Sequence, residues 1–425
     1  MRILLLCNSL IGEIQEKHGL TPGKPESWVK GVYEGMRRTP ELEVMYLFPT
    51  SKQHMSFSEG NINFKTYTQK NIAKLEAEQS EEFEKIIRSF NPDVIHIFGT
   101  EYLHTYAMLS VCEKLGCSAK TLVHIQGLVN FCYYHYLGYL STRETGINTL
   151  GDVLRVILRK GGGVLSGQKR FQERGVYEVE AIKKARNISG RTDWDEACVK
   201  SINPSVNYFS CNEMLRDSFY DSPKWSVNSC EKHSIFISQA SYPLKGFHLF
   251  LQALPEIIKK YPDVHVYTTG KSPIPNTLIG KIKQSSYQKY LEELIREHNL
   301  ESHITFTGYL DEVSMCRRFV NSHISILPSS IENSPNSLGE AMILGVPCIA
   351  SDVGGVKNML THGTEGFTYP ADEFYMIPYY VDKIFSNDEL AQEFSRNAIV
   401  HASKTHDRTT NFNQLMNIYH QISEA

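Results

Sequence analysis

The sequence predicts an α/β protein made of two facing, doubly wound domains, with a C-terminal helix that packs back on the first domain. Three observations support this fold class. The chain has 425 residues, which is long for one hydrophobic core and sufficient for two domains. Short apolar runs alternate with amphipathic stretches, as in parallel sheets covered by helices. The alternation starts again after about residue 230, so the second half repeats the plan of the first.

In the first half, four short apolar runs bounded by turn residues are predicted to be strands. They lie at 3–6, 44–48, 94–98 and 121–125. Between them, 28–38 and 81–90 have the periodicity of amphipathic helices, and Asn91-Pro92 ends the second of these. Strands that are separated by helices lie parallel to one another, so we expect a doubly wound sheet.

The second half is predicted to repeat this order as a second Rossmann-like domain. Its strands are expected at 234–238, 264–268, 304–307, 323–327 and 347–351, and its helices at 247–261, 287–299, 336–344 and about 387–424. We expect domains at 1–220 and 221–390, followed by a helical segment at 391–425 that returns to the first domain. Because open sheets bind ligands at the carboxyl ends of their strands, we expect a ligand crevice between the two domains.

Composition and charge favour a globular enzyme of a reducing compartment. A formal net charge of -3 provides no basic field for nucleic acid. The nine cysteines include no CxxC pair, which argues against a zinc site and a disulfide framework. The first apolar run is too short for a signal peptide, and no apolar stretch approaches the roughly 18 residues of a membrane span. We expect a cytoplasmic protein, with peripheral contact at the inner face of a membrane left open.

The segment 133–184 interrupts the alternation with aromatic and basic residues. A basic stretch within it contains Arg155, Arg159, Lys160, Lys169, Arg170 and Arg174. One interpretation is a helical excursion with a solvated face. The other is an acceptor-binding or membrane-contacting surface, because aromatic and basic groups together suit anionic lipid headgroups. Gly161-Gly162-Gly163 lacks the Gly-Lys-Ser/Thr of a phosphate-binding loop, so we reject that function.

The most informative stretch runs from a buried strand through a loop into the helix at 336–344. Ser334 or Asn336 is expected to cap this helix, with Pro335 at its first position if Ser334 is the cap. Gly345 is expected to end it. Backbone N–H groups at the start of a helix have no partner within the helix and attract anions. The sequence therefore predicts an anion site at the start of this helix.

Two glutamates and a lysine surround this anion site. Glu332 lies in the preceding loop and Glu340 in the first or second turn, where each can accept hydrogen bonds from hydroxyls on either side of a diphosphate. A nucleotide sugar carries such hydroxyls on its ribose and its hexose. Lys245, between a strand and a helix, can neutralise a phosphate, and Gly354-Gly355 allow close backbone approach. The alternative is a capped helix with surface glutamates and a solvated lysine.

These features together resemble retaining glycosyltransferase family 4, which has the glycosyltransferase-B fold. The resemblance is carried by Glu332, Glu340, Lys245-Gly246, Gly345-Val346-Pro347 and Ser351-Asp352-Val353-Gly354-Gly355. It is dense over 234–370 and thinner in the first half, where 92–96 is similar to a family segment. It implies that Glu340 binds the ribose hydroxyls and that Glu332 lies beside the donor sugar, as a catalytic residue with Lys245.

The resemblance also implies the remaining donor contacts. Lys245 would hold the diphosphate with backbone N–H groups around Ser337 and Leu338. Gly308 and Tyr309 would lie beside the base, and Gly23 would approach the donor phosphates. Such enzymes resemble metal-free catalysts, so no metal and no cofactor are expected, and a UDP-sugar is the favoured donor.

Two positions depart from the family pattern. The family usually has an arginine six residues before the lysine; here that donor-site position is Gln239, and Arg191 is a candidate to supply the charge. The family often has a histidine just after the strand at 121–125, where this chain has Gln126. His124 lies two residues earlier on the same side of that strand, with a packed core histidine as the alternative. We place Gln126, His124 and Arg191 on the acceptor side.

Glu101 and His104 are also expected to face the crevice from the acceptor domain. Asp193-Trp194-Asp195 spells the DxD of some metal sites, but it lies near the start of a predicted helix, where acidic residues are common. A structural or acceptor-side function is therefore favoured over metal binding. The sixteen histidines form no HExxH motif.

The predicted function is retaining glycosyl transfer from a nucleotide-diphosphate sugar to a glycan or lipid-linked acceptor. The resemblance implies a role in cell-surface polysaccharide synthesis. One alternative is a nucleotide-sugar epimerase on the same fold, which would need no acceptor. The other is a non-catalytic partner subunit, which Gln239 and Gln126 would fit, whereas Glu332, Glu340 and Lys245 favour an enzyme.

Overall fold

A computed structural model describes residues 1–18, 27–50, 54–68, 75–147, 149–158 and 161–424. Gly23, which was expected near the donor phosphates, lies outside these residues, as do Arg159 and Lys160. The chain divides into two compact units. Unit 1 comprises Met1–Phe131, Gln172–Arg216 and His406–Ala425, and unit 2 comprises Cys132–Phe171 and Asp217–Thr405.

The strands and helices follow one another in the alternating order that the sequence predicts. The strands are β1 (Arg2–Leu6), β2 (Glu43–Thr50), β3 (Ser56–Glu59), β4 (Ile62–Thr68), β5 (Val94–Phe98), β6 (Thr121–His124), β7 (Asn187–Gly190), β8 (Asn207–Ser210), β9 (Glu231–Ile237), β10 (His265–Thr268), β11 (Ile304–Phe306), β12 (Ser322–Leu327), β13 (Cys348–Ser351) and β14 (Gly366–Tyr369). The helices are α1 (Gly12–Lys17), α2 (Ser27–Arg37), α3 (Leu75–Phe90), α4 (Leu103–Lys114), α5 (Val129–His135), α6 (Thr142–Thr145), α7 (Leu150–Ile157), α8 (Gly163–Lys184), α9 (Asp193–Ile202), α10 (Asp217–Asp221), α11 (Phe247–Lys260), α12 (Leu278–Lys283), α13 (Ser286–Glu297), α14 (Glu312–Asn321), α15 (Asn336–Leu344), α16 (Ile377–Phe385), α17 (Asp388–Thr405) and α18 (Arg408–Ser423).

Unit 1 is built on a sheet whose described strands have the order β3-β4-β2-β1-β5-β6-β7-β8. All neighbouring pairs are parallel except the β3-β4 hairpin at the edge. The side chains of successive residues in β1 point to opposite faces of the sheet. Ile3 and Leu5 therefore pack into one core, and Leu4 and Leu6 pack into the other. Tyr419 of α18 belongs to the first of these cores, which confirms that the C-terminal helix packs on the first domain.

Unit 2 contains a parallel sheet with the order β11-β10-β9-β12-β13-β14 among the described residues. Strands β9, β12 and β13 are neighbours near its centre, and they are buried over most of their length. Because all three run in the same direction, the loops that follow them meet at one edge of the sheet. This edge positions the residues that the sequence singled out in the second half.

The predicted elements are found, and the structure adds strands that the sequence pattern did not reveal. The strand at 94–98 and the helix at 336–344 have the predicted bounds. The added strands are β3, β4, β7, β8 and β14. Among these, β3 and β8 have no fully buried residue, so they lack the apolar run on which strand prediction depends.

The segment 132–171 lies in unit 2, although the boundary expected at 220 would assign it to the first domain. Its contacts explain this placement, since the Asp152 side chain accepts a hydrogen bond from the Ser286 amide. Of the expected returning segment 391–425, only the part from His406 onward belongs to unit 1.

Within the described ranges, no helix has both the length and the hydropathy needed to cross a membrane.

Candidate active site

The loops after β9, β12 and β13 are held together by two glycines with positive φ. Gly246 has φ 66°, and a Cβ there would lie 1.7 Å from the carbonyl oxygen of Pro328. Gly354 has φ 52°, and a Cβ there would lie 1.9 Å from the carbonyl oxygen of Glu332. The Gly355 amide donates to that same oxygen at 3.0 Å. The close backbone approach at Gly354-Gly355 is made to the loop that carries Glu332, whereas the sequence predicted an approach to the ligand.

Lys245 and Glu332 form a buried ion pair at the centre of these loops. Lys245 Nζ donates to Glu332 Oε1 at 2.5 Å, and the Ser329 hydroxyl donates to the same oxygen at 2.7 Å. The side chains of Lys245 and Glu332 are only 14% and 9% exposed. The structure therefore brings together the two residues that the sequence proposed as catalytic, and it adds Ser329.

The charge on Lys245 is stabilised by its partner. Burial alone would lower the pKa of this lysine, but the attraction of Glu332 outweighs burial and holds the pKa above its ordinary value. Lys245 is consequently a fixed cation at neutral pH. A fixed cation in a half-enclosed loop cluster can balance the charge of an anionic ligand without moving a proton.

Helix α15 begins at Asn336, one residue after Pro335, which occupies the capping position. The prediction that Ser334 or Asn336 caps the helix is wrong, because a proline side chain has no hydrogen-bonding group and the Ser334 hydroxyl lies 3.5 Å from Met359 Sδ. The Leu338 amide donates to the Pro335 carbonyl at 3.0 Å. This bond engages one of the two N–H groups proposed as phosphate donors.

Ser337 and Leu338 line a small cavity at the start of α15. Its empty volume is about 220 Å³, and its other lining residues include Ser238 and Leu327, which lie at the carboxyl ends of β9 and β12. The Ser337 amide is in the first turn, where a helix leaves N–H groups without an acceptor four residues earlier. Glu340 follows on the next turn and is 5% exposed. The helix start thus offers one backbone donor beside a buried carboxylate.

Gly308 and Tyr309, which are proposed to lie beside the nucleotide base, are at the carboxyl edge of the unit 2 sheet. So is Gln239, at the position where the family usually has an arginine. Gly308 follows β11 with φ 75° and exchanges backbone hydrogen bonds of 2.9 and 3.1 Å with Gly270, which follows β10. Tyr309 is 77% exposed, so its ring is available to a ligand. Gln239 follows β9 and is also exposed. Gly308, Tyr309 and Gln239 thus follow strands of the unit 2 sheet, and Lys245 follows β9 of the same sheet.

In unit 1, a buried carboxylate that the sequence did not single out connects three of the predicted acceptor-side residues. Glu213 Oε2 accepts from Arg191 Nη1 at 2.8 Å, and Glu213 Oε1 accepts from Gln126 Nε2 at 2.6 Å. His124 Nε2 lies 3.1 Å from Glu213 Oε1, and its Nδ1 lies 2.8 Å from the Ser189 hydroxyl. We call these residues the Glu213 network.

Glu213 remains ionised inside this network. Burial would raise its pKa, but Arg191 and the hydrogen bonds from His124 and Gln126 outweigh burial and lower the pKa to about 2. Arg191, whose side chain is 4% exposed, is engaged by Glu213 within unit 1. Residues of the Glu213 network line a cavity with an empty volume of about 320 Å³. The signal for Glu213 in the sequence is weak, because it follows a strand with no apolar run.

Glu101 and His104 are buried in unit 1, at 8% and 5% exposed. Burial raises the pKa of Glu101 to about 7, despite Arg174 with a guanidinium nitrogen 3.9 Å from the carboxylate. Burial lowers the pKa of His104 to about 3, and its Nδ1 lies 3.0 Å from the Tyr67 hydroxyl. His104 is therefore a neutral, packed histidine in the described structure, whereas Glu101 is poised to change charge near neutral pH.

The Asp193-Trp194-Asp195 motif has the structural function that the sequence favoured. Thr192 caps α9, and its hydroxyl accepts from the Asp195 amide at 3.2 Å. Asp195 Oδ2 in turn accepts from the amides of Arg191 and Thr192. This reciprocal capping box engages Oδ2 of the Asp195 carboxylate. Over the described ranges, no group of three or more His, Cys, Asp or Glu residues is arranged to hold a metal ion.

Comparison with known families gives a match for most of unit 2. Residues 221–401 match the family described as glycosyl transferases group 1. The matched range contains Lys245, Glu332 and Glu340, together with the loops that hold them.

Two curated relatives illustrate the level of similarity. The 2-deoxystreptamine N-acetyl-D-glucosaminyltransferase of Niallia circulans is 25% identical over 162 residues, which are 38% of each protein. A phosphatidyl-myo-inositol mannosyltransferase of Mycolicibacterium smegmatis is 24% identical over 212 residues, which are 49% of this chain and 50% of that protein. The chain thus spans half or less of the length of these relatives.

Solved structures resemble the whole chain. The sucrose-phosphate synthase of Thermosynechococcus elongatus aligns over 99% of both chains with a TM-score of 0.71 and 14% identity. HepE of Anabaena, solved in complex with UDP-glucose, aligns over 99% of this chain and 100% of its own with a TM-score of 0.66 and 15% identity. These likenesses confirm the predicted glycosyltransferase-B fold.

Proposed function

We propose that this protein, whose residues 221–401 match the glycosyl transferases group 1 family, transfers a sugar from a nucleotide-diphosphate donor with retention at the anomeric carbon. The observation that carries the proposal is the buried Lys245–Glu332 pair beside the start of α15. The cation and the backbone donor suit the diphosphate of a nucleotide sugar, and the two carboxylates suit the hydroxyls of its ribose and its hexose.

In this proposal, Lys245 and the start of α15 bind the diphosphate. As the bond between sugar and phosphate breaks, negative charge builds up on the leaving diphosphate, and a preorganised cation stabilises that charge. Because the pKa of Lys245 is raised, the lysine stays charged throughout turnover. The Ser337 amide adds a dipole at the positive end of the helix.

The two glutamates bind the hydroxyls at the ends of the donor. Glu332 accepts hydrogen bonds from the sugar while keeping its contact with Ser329, which fixes the carboxylate. Glu340 accepts from the ribose. Carboxylates in these positions orient the donor without contacting its phosphates, and orientation of the reacting bond is a large part of catalysis.

Unit 1 is the acceptor-binding domain in this proposal, and the Glu213 network is its polar centre. Gln126 takes the position in which the family often has a histidine, and Glu213 fixes its amide by accepting from Nε2. The Gln126 carbonyl oxygen is then the end of the side chain that can accept a hydrogen bond from an acceptor hydroxyl. The acceptor would be a glycan or a lipid-linked saccharide for cell-surface polysaccharide.

A UDP-sugar is the proposed donor, and the reaction is proposed to need no metal. HepE, which shares the fold, was solved with UDP-glucose, and this supports the choice of nucleotide. Lys245 and the helix start supply the positive charge that a divalent cation supplies in other transferases. Turnover is expected to be unchanged by a chelator, and a loss of turnover that Mg²⁺ or Mn²⁺ restores would contradict this part of the proposal.

The test of the proposal is acceptor-dependent release of UDP from a UDP-sugar by the full chain. Glycan and polyprenyl-linked saccharide acceptors are supplied in turn, and proton NMR of the product reads the anomeric configuration. The expected result is UDP release that requires an acceptor and a product with the donor's configuration. Release of free, altered sugar without an acceptor would show an epimerase, and inverted product would refute retention.

A further inference from the structure

Helix α7 has an inverted distribution of side chains, because its small and polar residues are buried and its apolar residues are exposed. Gly151 and Asp152 are buried, whereas the apolar side chains of α7 and the residue after it are between 43% and 69% exposed. These apolar residues are Leu150, Val153, Leu154, Val156, Ile157 and Leu158. A surface helix of a globular protein ordinarily has the opposite arrangement.

Polar contacts within unit 2 fix this orientation. Asp152 Oδ2 accepts from the Ser286 amide at 2.7 Å and from the Ser286 hydroxyl at 2.5 Å. Arg155 donates to Asp152 Oδ1 at 2.7 Å and to the Lys283 carbonyl. Burial would raise the pKa of Asp152, but its hydrogen bonds outweigh burial and lower it. Turning the apolar face of α7 inward would break every one of these contacts.

Two glycines allow α7 to lie close to its support. A Cβ on Gly151 would lie 2.5 Å from the Gln284 carbonyl oxygen, and a Cβ on Gly162 would lie 2.4 Å from the Asp152 carbonyl oxygen. A larger residue at position 151 would push α7 away from α12, and a larger residue at position 162 would push it away from the start of α8. Within the triple glycine at 161–163, Gly162 therefore has a structural function in positioning α7.

Helix α12 extends the apolar surface of α7. Its Leu278, Ile279 and Ile282 are 82%, 65% and 45% exposed, and it packs against α7 where Gly151 approaches the Ile282 carbonyl. We call the exposed apolar side chains of the two helices the α7–α12 patch. The patch consists of Leu150, Val153, Leu154, Val156, Ile157, Leu158, Leu278, Ile279 and Ile282. Exposed apolar clusters of this kind mark interaction sites.

The exposed charges on α12 itself are positive. Lys281 and Lys283 are exposed on α12. Over 145–158 and 271–285 the sequence contains one acidic residue, Asp152, and it is buried beneath α7. Apolar side chains flanked by lysines complement a bilayer with anionic lipids, in which the apolar groups enter the acyl boundary and the lysines meet the headgroups. We propose that the α7–α12 patch docks unit 2 on an anionic membrane surface.

A second copy of the chain complements the patch less well than a membrane does. A twofold contact places the same surface on both sides of the interface, so the patch would have to pair with itself. Such pairing would bring Lys281 and Lys283 of one copy near those of the other, and like charges at an interface are unfavourable. The anionic membrane is the occupant that satisfies both the apolar and the charged groups.

Vesicle sedimentation tests the proposal without any donor or acceptor, so its outcome is independent of the proposed function. The full chain is mixed with vesicles of equimolar phosphatidylcholine and phosphatidylglycerol, or with vesicles of phosphatidylcholine alone. Binding to the anionic vesicles is expected to be about tenfold or more stronger, since each lysine near the surface contributes about a fivefold factor. Equal binding to both, or no binding, would overturn the proposal.

Two double variants separate the apolar and the charged contributions. L154S with I157S is expected to weaken binding to the anionic vesicles by about tenfold or more, because two apolar side chains no longer enter the acyl boundary. K281E with K283E is expected to abolish the preference for anionic vesicles. Thermal unfolding of each variant checks that the fold is retained.

A matched control uses Val313 and Val400, which are 57% and 56% exposed in unit 2 but lie outside the patch. V313S with V400S is expected to bind vesicles as the wild type does. Patch variants that bind like the wild type would overturn the proposal. The proposal would also be overturned if the wild type fails to bind vesicles and light scattering shows a wild-type dimer that the patch substitutions dissociate. The patch would then be a protein interface.

Discussion

At the scale of single residues, the proposed function depends on how Lys245 is held. Its ammonium is paired with Glu332 at 2.5 Å, and the Ser329 hydroxyl shares the same carboxylate oxygen. Replacing Lys245 with glutamine keeps the length of the side chain approximately but removes its charge. K245Q is expected to lower kcat by about 10²–10³, the cost of losing one group that stabilises leaving-group charge.

The same substitution leaves the Glu332 carboxylate buried without its cation. Breaking a buried pair by removing one partner costs about 3–5 kcal/mol, so the free energy of unfolding should fall as well. Chemical denaturation separates the two effects, and E332Q in the same background restores neutrality. If K245Q turned over at the wild-type rate with saturating donor, Lys245 would have no part in the chemistry.

Glu213 shows how a residue can be central in the structure and inconspicuous in the sequence. It accepts hydrogen bonds from Arg191 and Gln126, and its pKa is lowered to about 2. A group with a lowered pKa stabilises the fold above its unfolded pKa of about 4.3, and that stability is lost as the pH falls toward about 2. E213Q is therefore expected to lower the free energy of unfolding at neutral pH by about 3 kcal/mol.

Because Arg191, Gln126 and His124, which contact Glu213, lie within unit 1, E213Q is also expected to raise the KM for the acceptor and to leave the donor Kd unchanged. Urea unfolding, donor calorimetry and acceptor kinetics measure these three quantities. A loss of donor affinity with an unchanged acceptor KM would show that the network serves the donor instead.

At the scale of elements, glycine conformation decides whether three loops can meet. Gly246 has φ 66° and approaches the Pro328 carbonyl too closely for any Cβ. Gly363 has φ 75° in the same unit, but a Cβ there would meet nothing within 4 Å. G363A is therefore expected to lower the free energy of unfolding only by the cost of a positive φ, about 1–2 kcal/mol. G246A must in addition separate the loops that hold Lys245 and Glu332.

We expect G246A to be destabilised more than G363A and to bind the donor at least about tenfold more weakly, a cost of roughly 1.4 kcal/mol. The unfolding midpoints and donor Kd values of the two variants provide the comparison. Equal stability and equal donor affinity in both would mean that the contact with Pro328 is unimportant.

The two ends of α15 show what sequence patterns can and cannot predict. Gly345 ends the helix with φ 79°, as predicted, because only a residue that tolerates positive φ suits this position. The start was predicted wrongly, because Ser334 is a common capping residue but its hydroxyl lies beside Met359, which is 25 positions away in the sequence. Local signals predict local geometry, and a tertiary contact overrides them.

At the scale of the whole molecule, buried carboxylates with a raised pKa, such as Glu178 in unit 1, make stability depend on pH. Burial raises the pKa of Glu178 to about 7, although it accepts hydrogen bonds from Thr100 and from the Asn130 amide. A carboxyl whose pKa is raised in the folded state stabilises the fold below the unfolded pKa. That stability is lost as the pH rises through about 7.

E178Q removes this loss of stability at high pH, because a glutamine side chain does not ionise. Its amide group can still accept from the Asn130 amide and can donate to the Thr100 hydroxyl. The free energy of unfolding of E178Q relative to the wild type is expected to rise by up to about 3 kcal/mol between about pH 4.5 and about pH 8, at 1.36 kcal/mol per pKa unit. Urea unfolding across this range measures it. A difference that does not change with pH would contradict a raised pKa.

The division of the chain between the units was the part of the fold that the sequence predicted least well. Strands and helices repeat regularly in both halves, so the fold class could be read from periodicity. The aromatic and basic segment at 133–184 begins close to the point where the chain enters unit 2, but its composition does not show which unit it joins, because that depends on contacts such as Asp152 with Ser286. Contacts over more than a hundred positions leave no local pattern.

Calorimetry with a panel of UDP-, GDP- and ADP-sugars tests whether unit 2 binds a nucleotide sugar at α15. Wild type is compared with E340A and with E393A, an exposed glutamate on α17 that serves as the matched control. We predict micromolar binding of one donor, retained in E393A and weakened by about tenfold or more in E340A, as expected when hydrogen bonds to a buried carboxylate are lost. Failure of every donor to bind, or equal binding by E340A, would contradict the account.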